Sequence, residues 1–67
     1  MPIGRVKWFN NAKGYGFIVP DDDGKDVFVH IRDVERAGYT ALVEGVRVGY
    51  DLKELKGRVQ ADNLRIS

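Results

Sequence analysis

Covalent chemistry has little to work with in this sequence. Its one histidine is His30, its one threonine Thr40 and its one serine the terminal Ser67, so no nucleophile stands out with a base to activate it. Cysteine is absent. That removes thiol catalysis, disulfides and a zinc knuckle, and it fits a reducing compartment. The acidic run Asp21, Asp22, Asp23 and Asp26 invites a calcium reading, but the twelfth position counted from Asp21 is Arg32, where an EF-hand loop needs a glutamate. Gly14-x-Gly16 has neither a third glycine nor a following helix, so it is no dinucleotide fingerprint. The residues therefore point away from an enzyme, a metal site and a cofactor. What remains is a concentration of rings and cations: Lys7, Trp8, Phe9, Lys13, Tyr15, Phe17, Phe28 and His30. Rings stack on flat partners, and cations beside them neutralise phosphates.

The elements that must position these rings are short. Val, Ile, Phe, Tyr and Trp cluster in runs separated by Gly, Asn, Asp and Pro, a pattern of strands and turns. Five strands are predicted, over residues 4–10, 15–19, 27–31, 46–53 and 59–66. Asn10-Asn11-Ala12-Lys13-Gly14, Pro20-Asp21-Asp22-Asp23-Gly24 and Leu55-Lys56-Gly57 supply turns. Residues 32–45 form the one long connection, with Asp33 as the expected cap of a short helical turn. Five short strands with a long link after the third suit an all-β, five-stranded antiparallel Greek-key barrel of the OB type, closed so that no edge is left exposed. An SH3-like barrel is the structural alternative.

The two-residue period of a strand sorts the side chains. In the third strand Val27, Val29 and Ile31 make the better core, which sends Phe28 and His30 outward. In the second, Ile18 goes inward, and Tyr15 and Phe17 outward. Four rings then share one solvent-facing surface, and an exposed aromatic patch marks a binding site. Nucleobases stack on such rings for about 1 to 3 kcal/mol each, while Lys7 and Lys13 are placed for phosphates. Gly14 and Gly16 leave room for close approach, or serve turn and bulge geometry alone. The first strand is ambiguous. Strict alternation groups Trp8 with Val6, and so buries it, and puts Arg5, Lys7 and Phe9 on the opposite side; a bulge near Lys7 turns Trp8 outward instead.

At 67 residues the chain has room for one small domain, of modest stability given its size and lack of staples. Net charge is only +1, but it is segregated: residues 1–20 carry Arg5, Lys7 and Lys13 with no acid, and four aspartates follow. No stretch approaches the roughly 18 apolar residues of a membrane span. The N-terminal residues lack the apolar segment of a signal peptide. A soluble, cytoplasmic protein is expected, with no repeat or linker.

Two runs, Lys13-Gly14-Tyr15-Gly16-Phe17-Ile18 and Asp26-Val27-Phe28-Val29-His30, closely resemble the ribonucleoprotein-type motifs of the bacterial cold-shock proteins. Gly4-Arg5-Val6-Lys7-Trp8-Phe9-Asn10 resembles their first strand, and the likeness is strongest over residues 4–34. The resemblance implies a five-stranded OB-type barrel that binds single-stranded RNA or DNA, pyrimidine-rich strands above all, as an RNA chaperone or a regulator of transcription and translation. A monomer is favoured, with no membrane and no small-molecule substrate as partner. By position, Lys7, Trp8, Phe9, Lys13, Tyr15, Phe17, Phe28 and His30 match residues that contact nucleic acid in that family, which implies an exposed Trp8. Tyr39, in a Gly-Tyr-Thr context, resembles a further stacking aromatic. Three departures stand out. Ile31 replaces an aromatic found in many members, Tyr15 and Tyr39 stand where phenylalanine is usual, and the acidic Asp21-Asp22-Asp23 should repel a passing strand. A barrel gripping a proline-rich peptide is the rival reading. Such a complex would depend little on salt, whereas phosphate contacts weaken steeply with it.

Overall fold

The computed structural model describes residues 2–22 and 24–66. Asp23 of the acidic loop and Ser67 thus lie outside the described residues. Among the described residues the strands are β1 (Ile3–Asn10), β2 (Tyr15–Pro20), β3 (Val27–His30), β4 (Arg47–Leu55) and β5 (Arg58–Ile66), with one helix, α1 (Ile31–Arg36), between β3 and β4. They close into a barrel in the order β1-β2-β3-β5-β4, with β4 returning to β1. A ring with an odd number of strands cannot alternate direction all the way round. Four seams are antiparallel. The fifth, between β3 and β5, is parallel and carries a single register pair, Phe28 with Gln60.

Alternation within the strands builds the core. Val6, Ile18, Val27, Val29 and Val48 point inward, and Val34 from α1 closes over them. β-Branched side chains are stiff and fill a pleated wall at small entropic cost. Tyr50 is also fully buried, at 1% exposure. The last hairpin turns on Lys56 and Gly57 alone, with φ of 53° and 78°. Positive φ at both central residues is what a two-residue type I′ hairpin turn demands, and it lets β4 run to Leu55 and β5 start at Arg58, beyond the ends that composition gave.

The start of the long connection differs from expectation. β3 ends at His30, and Ile31 opens the helix instead of finishing the strand. The cap is His30, not Asp33: its backbone stays extended, and its Nδ1 accepts the Arg32 N–H at 3.1 Å. Asp33 is drawn elsewhere. Its carboxylate, 3% exposed, accepts from Lys53 Nζ at 3.0 Å and from Gln60 Nε2 at 2.9 Å. A buried carboxylate needs such partners, and cross-barrel donors outcompete a local cap.

Candidate nucleic-acid interface

The first strand carries a bulge. Val6 pairs with Ile18, but the next partner of Phe17 is Trp8, so Lys7 is an extra residue. That insertion resolves the ambiguity in alternation: Val6 is 2% exposed, and Trp8, pushed to the other face, is 37% exposed. The same shift corrects Phe9. It stands with the core, half-buried, instead of sharing the outer side with Arg5 and Lys7. Close approach of β1 and β2 here depends on Gly16, where a Cβ would run into the Trp8 carbonyl oxygen and lie 2.8 Å from Phe9 Cα.

Pairing between β2 and β3 then sets the rings side by side. Phe17 lies opposite Phe28, and Tyr15 opposite His30. Ring centroids of Trp8 and Phe17 are 5.3 Å apart, Trp8 and Tyr15 5.6 Å, and Phe28 lies 5.8 Å from both Tyr15 and Phe17. His30 continues the row at 6.4 Å from Phe28. Interplanar angles run from 43° to 88°. The rings support one another edge to face or tilted, within the 4.5–7 Å range of favourable pairs, and each remains only half-buried or exposed. Because Nδ1 of His30 is occupied as an acceptor, its ring proton sits on Nε2, which is left to donate.

The cations are distributed unevenly. Lys7 Nζ meets Asp26 Oδ2 at 2.9 Å. Both groups are well exposed, so the pair is worth about 1 kcal/mol at most and opens readily to a competing anion. Lys13 is exposed in the β1–β2 turn, where its N–H is held by Asn10 Oδ1. In the acidic loop, Asp21 meets Arg47 at 3.1 Å, and Asp22 accepts the Gly24 N–H. Tyr39 stands apart from the rings. It packs partly buried against the core, and its hydroxyl accepts the Ile66 N–H at 3.2 Å. Ile31 likewise packs against the core.

Sequence reasoning missed one member of the site. The Arg58 guanidinium lies 4.7 Å over the Phe28 ring, a cation–π contact. Arg58 and Phe28 are brought together only by the parallel seam, and alternation within a strand carries no trace of that contact. Among the described residues no three His, Cys, Asp or Glu side chains gather as a metal site, and no helix is long and apolar enough to cross a membrane.

Comparison with known proteins agrees with this geometry. Residues 3–67 match the family model for the 'Cold-shock' DNA-binding domain. The cold shock protein CspA of Rhizobium meliloti is 58% identical over 67 residues, covering 97% of each chain. The probable cold shock protein y4cH of Sinorhizobium fredii is 55% identical with the same coverage. The cold shock-like protein CspE of Escherichia coli is 51% identical over 49 residues, 73% of this chain and 71% of its own. With a ring-bearing five-stranded barrel matched along nearly its whole length, the chain belongs to the cold-shock domain family.

Proposed function

We propose that this chain binds single-stranded RNA and DNA by stacking successive bases on Trp8, Tyr15, Phe17, Phe28 and His30. The observation that carries the reading is the array itself: five rings in mutual contact on one outer face, where burial would have served stability better. Duplex bases already spend their faces on one another, so single strands are the substrate. Lys7, released from Asp26, and Lys13 take phosphates beside the rings, and Arg58 adds its charge at Phe28. Phe9 contributes its exposed edge at the rim, and Tyr39 a more distant contact beyond the helix. Pyrimidine strands bind best, the protein acts as a monomer in the cytoplasm, and its work is that of an RNA chaperone or a regulator of transcription and translation.

The test is a titration of Trp8 emission with oligo-dT, oligo-U and a duplex of equal length, repeated at several salt concentrations. Quenching by both single strands, weak response to the duplex and a steep fall of affinity with salt are expected. Equal response to duplex and single strand would sink base stacking. Binding indifferent to salt would favour the peptide-gripping barrel instead.

A further inference from the structure

The ring face does not end at His30. Beyond it lies a groove of about 380 Å³ whose walls include Phe28, His30, Arg32, Arg36, Lys53 and Arg58. Phe28 and Arg58 also line the depression over Tyr15 and Phe17, so the groove and the ring face share a lip. Its cations are not equivalent. Lys53 and Arg36 lie within 3.8 Å of both Asp33 and Asp62, a quartet of two cations and two anions that sums to zero. Arg32 and Arg58 stand in no ion pair among the described residues. They are therefore the two uncompensated charges beside the groove. The flank of the rings toward the acidic loop is different. There Lys7 is matched by Asp26 and Arg47 by Asp21, and the charges of Asp22 and Lys25 in the same loop offset one another. A polyanion leaving the rings meets balanced charge on that side, among the described residues, and free guanidinium on this one.

Resting on the stacking function above, we infer that the bound strand continues past His30 into this groove, where Arg32 holds the phosphate of a nucleotide whose base lies beyond the rings. Arg58, seated over Phe28, marks the passage from stacked bases to the backbone track. Arg32 is exposed and its guanidinium stands in no ion pair among the described residues, so it is free to turn toward a phosphate oxygen and bind it bidentately. The track thus adds phosphate contacts without adding a ring. Affinity should then grow with strand length after the rings are filled, and that increment should be the salt-sensitive part.

Arg32→Gln isolates this increment, because the substitution removes one exposed charge and touches neither a ring nor the buried Asp33. Arg47→Gln, which removes an exposed charge outside the groove, is the control. Both variants and the unaltered protein are titrated through Trp8 emission with oligo-dT of about four and about twelve nucleotides, lengths that span the site sizes of such barrels, across a salt series. The expected result is that Arg32→Gln lowers the slope of log affinity against log salt by about 0.7, the value of one single-strand phosphate contact. That loss should appear for the longer strand only, and Arg47→Gln should not reproduce it. An equal loss on both strands, or no loss on either while the short strand still quenches, overturns the extended track and leaves the stacking face standing. If the short strand fails to quench the unaltered protein, the stacking face itself falls, and the track with it.

Discussion

Phe17 and Phe28 are half-buried, so truncating either removes a stacking surface while leaving Val6, Ile18, Val29 and Val48 in place beneath it. Phe17→Ala and Phe28→Ala are each expected to weaken oligo-dT binding by about 1 to 3 kcal/mol, with a folded chain confirmed by far-UV circular dichroism. Phe28→Ala should be the costlier, because it also removes the seat of Arg58. Variants that unfold, with binding lost in proportion, would place those rings in the core. Tyr50 represents the opposite case, a ring spent wholly on the interior. Burial raises its hydroxyl pKa above the ordinary 10.0, and the charges of Asp22 and then Asp21 add to the rise. The folded chain therefore holds that proton more tightly than the unfolded chain. Its contribution to stability is complete below about pH 10 and is lost as pH climbs through the raised folded value. Tyr50→Phe should flatten the alkaline fall in melting temperature between pH 9 and 11, measured against the parent protein; an unchanged fall would assign it to other groups.

At the scale of elements, the site depends on how closely β1 and β2 approach at the bulge. Gly16→Ala sets a methyl against the backbone of Trp8 and Phe9, which no side-chain rotation relieves. Overpacking of this kind costs about 1 to 3 kcal/mol. Urea midpoints should fall accordingly, and oligonucleotide affinity should drop even where the variant is fully folded, since Trp8 is displaced from Phe17; retained affinity would show that the bulge does not position the tryptophan. The strands and the outward parity of Tyr15, Phe17, Phe28 and His30 were legible in the sequence, because a two-residue period is written directly in residue order. The side taken by Trp8 was not written in that period, which left it open between burial and a bulge near Lys7, and only the family resemblance implied the exposure found. A single inserted residue reverses every later side chain on a strand, and nothing in Arg5-Val6-Lys7-Trp8 marks where the insertion falls. His30 as a cap was equally hidden, because that role depends on Asp33 being claimed by Lys53 and Gln60, about 20 and 27 residues away. Arg58 on Phe28 was lost for the same reason, as a contact between strands that meet only when the barrel closes.

The molecule as a whole is small, and it places on its surface rings that a more stable design would bury. It should sit below its stability optimum, with ligand supplying part of the deficit. A strand that binds only the folded chain adds about 2.7 kcal/mol at a hundredfold excess over Kd. In a domain of this size that moves the melting midpoint by roughly 10 to 20 °C. Saturating oligo-dT should produce such a shift, with a partial loss at high salt, where phosphate contacts are screened and stacking persists; a melt unmoved by oligo-dT at any salt would contradict the stacking face. The parallel seam gives this coupling a location. One register pair joins β3 to β5, and Asp33, bonded to Gln60 beside it, is the brace that the chain itself provides. The wall should breathe there first, so the amides of Phe28 and Gln60 should exchange with deuterium sooner than those of the β1–β2 ladder. A nucleobase lying on Phe28 beneath Arg58 would touch both lips of that opening at once. Bound nucleic acid would then act as a staple across the incomplete wall, and the largest gain in exchange protection should fall on the seam, not on the strands that carry most of the rings.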